Sequence, residues 1–309
     1  MAQHPIDRRA FLAAGSLLPA AILCSTGGAV AGAPAVATPA ITDTSVHLFN
    51  WPFRRLKYGT TAALIAKLKR HRVTEAWAGT FEAVLRKNLD AANAQLAEEC
   101  RKNGEGMLRP FGSVCPVWPD WEEDLRRCHE VHRMPGIRLY PNYHNYTLDR
   151  PEFAALLRAA TARGLLVQIA IELEDIRVHH PVITVPIVDA APLATALKQA
   201  PGARVQLLNG LTVLQRGGPS GLVPETNVAF DIANLEGTGT IGRLIDGNHW
   251  TIKPQVPAAR LLFGSHAPFF PFEAALLRLF ESPLTREQLQ ALMHENAKNL
   301  LTTRTEKRS

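Results

Sequence analysis

Residues 136–172 read GIRLYPNYHNYTLDRPEFAALLRAATARGLLVQIAIE, and this stretch decides the fold. The first five residues are an apolar strand broken only by Arg138. Asp149-Arg150-Pro151-Glu152 opens a helix over 152–163, with a capping residue ahead of a proline whose fixed φ suits the first helical turn. Residues 165–172 then form an apolar run that reads as a buried strand. Strand, helix and strand in succession, with short joins, build a parallel sheet.

The alternation continues to either side. Further strands read at 41–48, 73–78, 108–114, 205–208, 228–232 and 260–265. Helical spacing reads at 60–71, where Leu64, Ile65 and Leu68 share a face, and at 88–102, 119–132, 192–199, 272–281 and 286–301. The stretch 211–226, with Gly217-Gly218-Pro219-Ser220-Gly221, is a flexible loop or a broken helix. Eight strands alternating with helices over about 270 residues fit an α/β protein, a single-domain (β/α)8 barrel. A doubly wound sheet is the alternative, but no GxGxxG or GxxxxGK[ST] sits on a strand-to-helix turn to favour it.

Composition agrees. The 309 residues are 46% hydrophobic and 20% charged, which excludes a disordered chain. A net charge of +6, with Arg8-Arg9, Arg54-Arg55 and Arg126-Arg127 scattered, gives no basic stripe for nucleic acid. Residues 1–40 read as a leader: Arg8-Arg9 followed by Phe11-Leu12, an apolar stretch to Leu23, then Ala-x-Ala sites up to Ala35. The arginine pair resembles a twin-arginine signal. The apolar run is too short to span a bilayer and contains Pro19. The expectation is a periplasmic or extracellular protein of residues 41–309, with no membrane contact once the leader is removed. Three cysteines then remain, Cys100, Cys115 and Cys128, with no CxxC spacing, so at least one is free or pairs between chains.

In such barrels the chemistry sits at the C-terminal strand ends, and alternate residues on a strand share a face. Strand one brings Asp43, Ser45 and His47, then the aromatic-basic loop Asn50-Trp51-Pro52-Phe53-Arg54-Arg55. Strand four brings Arg138 and Tyr140, then Tyr143 and His144. Arg138 is either paired to a carboxylate inside the barrel or a clamp for a substrate carboxylate. Strand five brings Gln168 and Glu172, with Glu174, Asp175, Arg177, His179 and His180 in the loop after it. Strand six ends at Asn209, and strand seven holds Asp231 and Asn234. Strand eight runs into Gly264-Ser265-His266, and His266 is the leading candidate for a proton-transfer group.

Several motifs together resemble the amidohydrolase superfamily, in its amidohydrolase-related (type 2) branch. They are Ile41-Thr42-Asp43-Thr44-Ser45-Val46-His47-Leu48, Gly136-Ile137-Arg138-Leu139-Tyr140-Pro141, Phe230-Asp231-Ile232, Leu261 to Phe269, and Glu295-Asn296-Ala297-Lys298-Asn299-Leu300-Leu301. The resemblance implies a hydrolase or decarboxylase barrel, and dimers are common in the branch, so a homodimer is an option. The pattern departs where metal ligands belong. The family's first histidine is Ser45 here, its strand-five histidine falls at Glu172, its strand-six histidine at Asn209, and its final aspartate at His266; only His47 matches. Ser and Asn are poor ligands for a transition metal, so the expected cofactor is none, although zinc in a set rebuilt from His47, His144, Glu172 and His266 stays open.

The leading expectation is a metal-independent hydrolase of a small lactone-like carbonyl compound. His266 would be the base, His47 and Arg138 would share the catalytic work, and Trp51, Tyr140, Tyr143, His144, Glu172 and Asn209 would bind the substrate. A metal-dependent decarboxylase and a non-catalytic ligand-binding barrel are the alternatives.

Overall fold

In a computed structural model that describes residues 40–219 and 221–302, eight strands run in order and in parallel. They are β1 (Ile41–Leu48), β2 (Val73–Thr80), β3 (Leu108–Gly112), β4 (Gly136–Leu139), β5 (Leu166–Ala170), β6 (Val205–Leu208), β7 (Ala229–Asp231) and β8 (Leu261–Leu262), each hydrogen-bonded to the next. The ring closes where Thr44 N donates to Phe263 O at 3.0 Å and His47 N to Ala267 O at 2.9 Å. The chain is therefore the expected (β/α)8 barrel. The leader expected at 1–40 lies outside the described residues, apart from Ala40.

The connecting helices are α1 (Thr61–Arg70), α2 (Glu82–Leu85), α3 (Leu89–Asn103), α4 (Trp121–Arg126), α5 (Pro151–Ala162), α6 (Leu193–Lys198), α7 (Leu211–Gln215), α8 (Thr240–Asp246), α9 (Phe272–Glu281), α10 (Arg286–Gln290) and α11 (Asn296–Thr302). Side chains start several of them. Thr60 accepts from Ala63 N at α1, Asn88 from Ala91 N at α3, and Pro151 opens α5. Two expectations are corrected. The segment expected as one helix over 286–301 is interrupted by a π-helical turn at Ala291–Glu295, and the helix over 119–132 by another at Arg127–Val131. The stretch 211–226 takes the broken-helix alternative, opening with the short α7. Among the described residues no helix is long and apolar enough to cross a membrane.

The barrel interior changes character along its axis. At the N-terminal end Trp77, Phe111, Leu166, Ala229 and Leu262 pack together with Ala297 of α11 beneath them. Burying each large apolar side chain is worth roughly 1.5–3 kcal/mol. One layer higher the filling is polar. Arg138 Nε donates to Gln168 Oε1 at 2.8 Å, Gln168 Nε2 to Gln206 Oε1 at 2.8 Å, Gln206 Nε2 to the Thr44 hydroxyl at 2.7 Å, and that hydroxyl to Phe263 O at 3.0 Å. These side chains cross the barrel as one donor-to-acceptor chain, and they form the floor of the mouth.

Candidate active site at the barrel mouth

Strand ends set the mouth. The strand register shifts between Asp43 and Val46 of β1, and Asp43 turns toward β8, where it accepts from Ser45 N, Ser265 N and the Ser265 hydroxyl. Burial raises its carboxyl to about 6 against those hydrogen bonds. Asp231, the last residue of β7, accepts from Asn209 N at 3.0 Å and Ala233 N at 3.3 Å, both on Oδ1. Its Oδ2 has no partner in the protein. Burial, with Asp43 as a nearby like charge, outweighs those two bonds and holds the carboxyl at about 7.

Arg138 is fully buried. Besides Gln168 it donates from Nη1 to Val46 O at 2.7 Å and from Nη2 to Trp77 O at 2.9 Å, and Nη1 lies 3.3 Å from His47 Nε2. The expected pairing of Arg138 with a carboxylate does not hold: its hydrogen-bond partners are two carbonyls, an amide and an imidazole, which engage most of the guanidinium. His47 stacks on Phe81 at 5.0 Å and meets His266 edge-on at 5.2 Å. Burial first, then the Arg138 charge, keeps its imidazole neutral.

His266 does lie in the mouth, but not as a free base. Its Nε2 is 2.6 Å from Leu173 O, its Nδ1 is 3.4 Å from the Ser45 hydroxyl, and burial lowers it to about 4. The physical reason is its backbone: β8 ends at Leu262 and His266 has φ of 56°, so the extended-strand parity does not apply. His144 is likewise tied, through Nε2 to Ala83 O at 2.9 Å, and packs on Trp118. Asn209 gives its amide nitrogen to Glu172 O at 2.6 Å. Burial raises the Glu172 carboxyl, which accepts from Asn234 at 3.2 Å with Arg216 3.7 Å away.

Trp51 forms the expected apolar wall with Tyr143, 6.3 Å away, and is joined by Phe53, Phe81 and Phe269. Several polar atoms among these buried residues have no partner in the protein: His47 Nδ1, Trp51 Nε1, the Tyr140 hydroxyl, His144 Nδ1, Asn209 Oδ1 and Asp231 Oδ2. Unmet buried polar atoms are uncommon, and these six belong to residues at or just beyond strand ends, while others, such as Ser113 Oγ and His249 Nε2, lie elsewhere in the fold. A cleft of about 240 Å³ lined by Asn142, Glu172, Glu174, His179 and Arg216 lies beside the mouth. A larger groove of about 910 Å³ is lined by residues between 50 and 63 alone and brings no second strand end to it. Asp231 is absent from the expected site set, although a carboxylate inside the apolar run 228–232 is itself a signal.

The chain matches the amidohydrolase family model over residues 43–203 and belongs to the amidohydrolase-related family. No curated protein matches its sequence. Among solved structures it resembles a dihydroxybenzoic acid decarboxylase from Polaromonas sp. with bound manganese and the inhibitor 2-nitroresorcinol, with TM-score 0.67, 14% identity, and coverage of 85% of this chain and 97% of that one. A 2,6-dihydroxybenzoate decarboxylase from Rhizobium gives 0.62, 15%, 85% and 98%. A 5-carboxyvanillate decarboxylase from Sphingomonas paucimobilis gives 0.63, 12%, 85% and 99%. At these identities the likeness is one of fold.

The residues standing here do not fit the divalent ion that the family implies. The Nε2 lone pair of His47 faces a guanidinium N–H, and both nitrogens of His266 are engaged inside the protein. The rebuilt set of His47, His144, Glu172 and His266 is not assembled: among the described residues no three His, Cys, Asp or Glu side chains are grouped to hold a metal.

Proposed function

We propose that this protein decarboxylates a small aromatic acid, with Asp231 as the proton donor, and that it does so after export by its twin-arginine-type leader. One observation carries the reading: a fully buried carboxyl at a strand end, held at about 7, with one oxygen fixed by two backbone N–H groups and the other free. Such a group is protonated for much of the time near neutrality and can deliver its proton. The aromatic lining of Trp51, Phe81, Tyr143 and Phe269 suits a ring, and the neighbours named above act on hydroxylated aromatic acids.

In the step, the proton on Asp231 Oδ2 forms a bond to the ring carbon that bears the carboxylate. The bond to the carboxylate then breaks, its electron pair returns to the ring, and CO2 leaves. Asp231 remains as a carboxylate and regains a proton from water. The buried charge of Arg138 offsets the negative charge of substrate and carboxylate, and the Tyr140 hydroxyl orients the substrate's oxygens.

Hydrolysis of a lactone-like carbonyl compound is the second reading, favoured by the same value near 7, because an ionised Asp231 would activate water. The two differ in pH dependence. Decarboxylation needs the acid form and declines above pH 7; hydrolysis needs the base form and rises through pH 7. The experiment measures CO2 release from 2,6-dihydroxybenzoate and 5-carboxyvanillate, and ring opening of a lactone panel, in the wild type and in Asp231→Asn. Loss of turnover in the variant is expected. Full activity in Asp231→Asn, or no turnover of either class by the wild type, overturns the assignment; in the latter case a non-catalytic binding barrel replaces it.

A further inference from the structure

Two buried imidazoles, His47 and His266, meet edge-on at 5.2 Å at the mouth, and their hydrogen bonds fix where each proton sits. Arginine has no lone pair to offer, so the contact between Arg138 Nη1 and His47 Nε2 is donation from arginine to histidine. His47 Nε2 therefore carries no proton, and the neutral ring carries it on Nδ1, an atom with no acceptor in the protein. His266 is set the opposite way: a carbonyl can only accept, so Nε2–H donates to Leu173 O and Nδ1 accepts from the Ser45 hydroxyl. His144 shares that second arrangement, with Nε2–H on Ala83 O. Arg138 cannot turn away from its task. Gln168 Oε1, Val46 O and Trp77 O, from three different strands, hold its guanidinium in place.

We infer that Arg138 is a positioning residue: it holds the Nε2 lone pair of His47, so that His47 presents a fixed Nδ1–H donor to a ligand's carbonyl or carboxylate oxygen and its Nε2 is closed to a metal ion. The inference deepens the proposed function by naming the donor that receives the acid's oxygen, and the tautomer itself is independent of turnover.

The test is long-range nitrogen–proton NMR on the full chain, labelled with 15N-histidine, treated with EDTA and recorded at pH 7, with the His47 signals assigned through His47→Gln. The expected spectrum shows His47 with a protonated Nδ1 and a bare Nε2, opposite to His266. Equimolar ZnCl2 leaves the His47 Nε2 signal in place, and 2,6-dihydroxybenzoate moves the Nδ1 proton downfield. In Arg138→Met the His47 proton moves to Nε2 while the His266 signals stay; should that variant not fold, the wild-type spectrum and its response to zinc decide alone. A proton on Nε2 in the wild type, or a zinc-induced shift of that nitrogen, overturns the inference. An intact tautomer that ignores 2,6-dihydroxybenzoate overturns the ligand part and weighs against the decarboxylase reading, while the Arg138–His47 pairing stands.

Discussion

Replacing Asp231 by Asn should make folding stability less sensitive to pH. The carboxyl is raised from an ordinary 3.8 to about 7 in the folded protein. Well below pH 4 it is protonated in both states and contributes no pH dependence. As pH rises, the unfolded chain releases the proton first, so stability falls until the folded carboxyl also ionises near 7, and the slope then vanishes. Each unit between the two values is worth about 1.4 kcal/mol, so from pH 5 to pH 8 the wild type loses roughly 2.5 kcal/mol through this one group. Asn is of similar shape and keeps an oxygen for Asn209 N and Ala233 N, but it does not titrate. Urea unfolding at pH 5, 6, 7 and 8 would show the wild type falling more steeply than Asp231→Asn by about that amount. Parallel curves for the two proteins would refute both the elevated carboxyl and its use as an acid.

Other consequences are open to measurement. Gly79→Ala would place a Cβ 2.6 Å from Arg138 Nη1 and 2.9 Å from the Tyr140 hydroxyl, so a loss of about 1–3 kcal/mol is expected in urea unfolding; unchanged stability would mean that Arg138 is not where it is described. Cys100, Cys115 and Cys128 are all free and buried, with thiols pushed up to about 12, 11 and 12, so they should resist a thiol reagent until denaturant is added. Rapid labelling of the native protein would contradict that burial. Arg8→Lys together with Arg9→Lys should leave the protein in the cytoplasm on cell fractionation, and unchanged export would remove the twin-arginine reading.

The order of strands was legible because most are short apolar runs between helical stretches, and β1 and β6 match their expected limits. The direction of side chains was legible only where the strand is regular. Parity placed Arg138 and Gln168 correctly on the inner face of β4 and β5. It failed at His266, whose left-handed backbone, with φ of 56°, follows the end of β8. The partners of Arg138 were hidden for another reason. They are backbone carbonyls of β1 and β2, and a backbone acceptor leaves no mark in a residue string.

The chain of side chains across the barrel begins at a group that can only give protons and ends at a carbonyl that can only receive them. Its polarity is therefore one-way, and the amides of Gln168 and Gln206 have a single permitted orientation each. Their aligned dipoles carry part of the arginine's positive field from β4 toward β8, beneath Asp43 and Asp231. A conservative change such as Gln206→Glu would put a second acceptor where Thr44 needs a donor, and would add a buried negative charge to the floor with little change of shape.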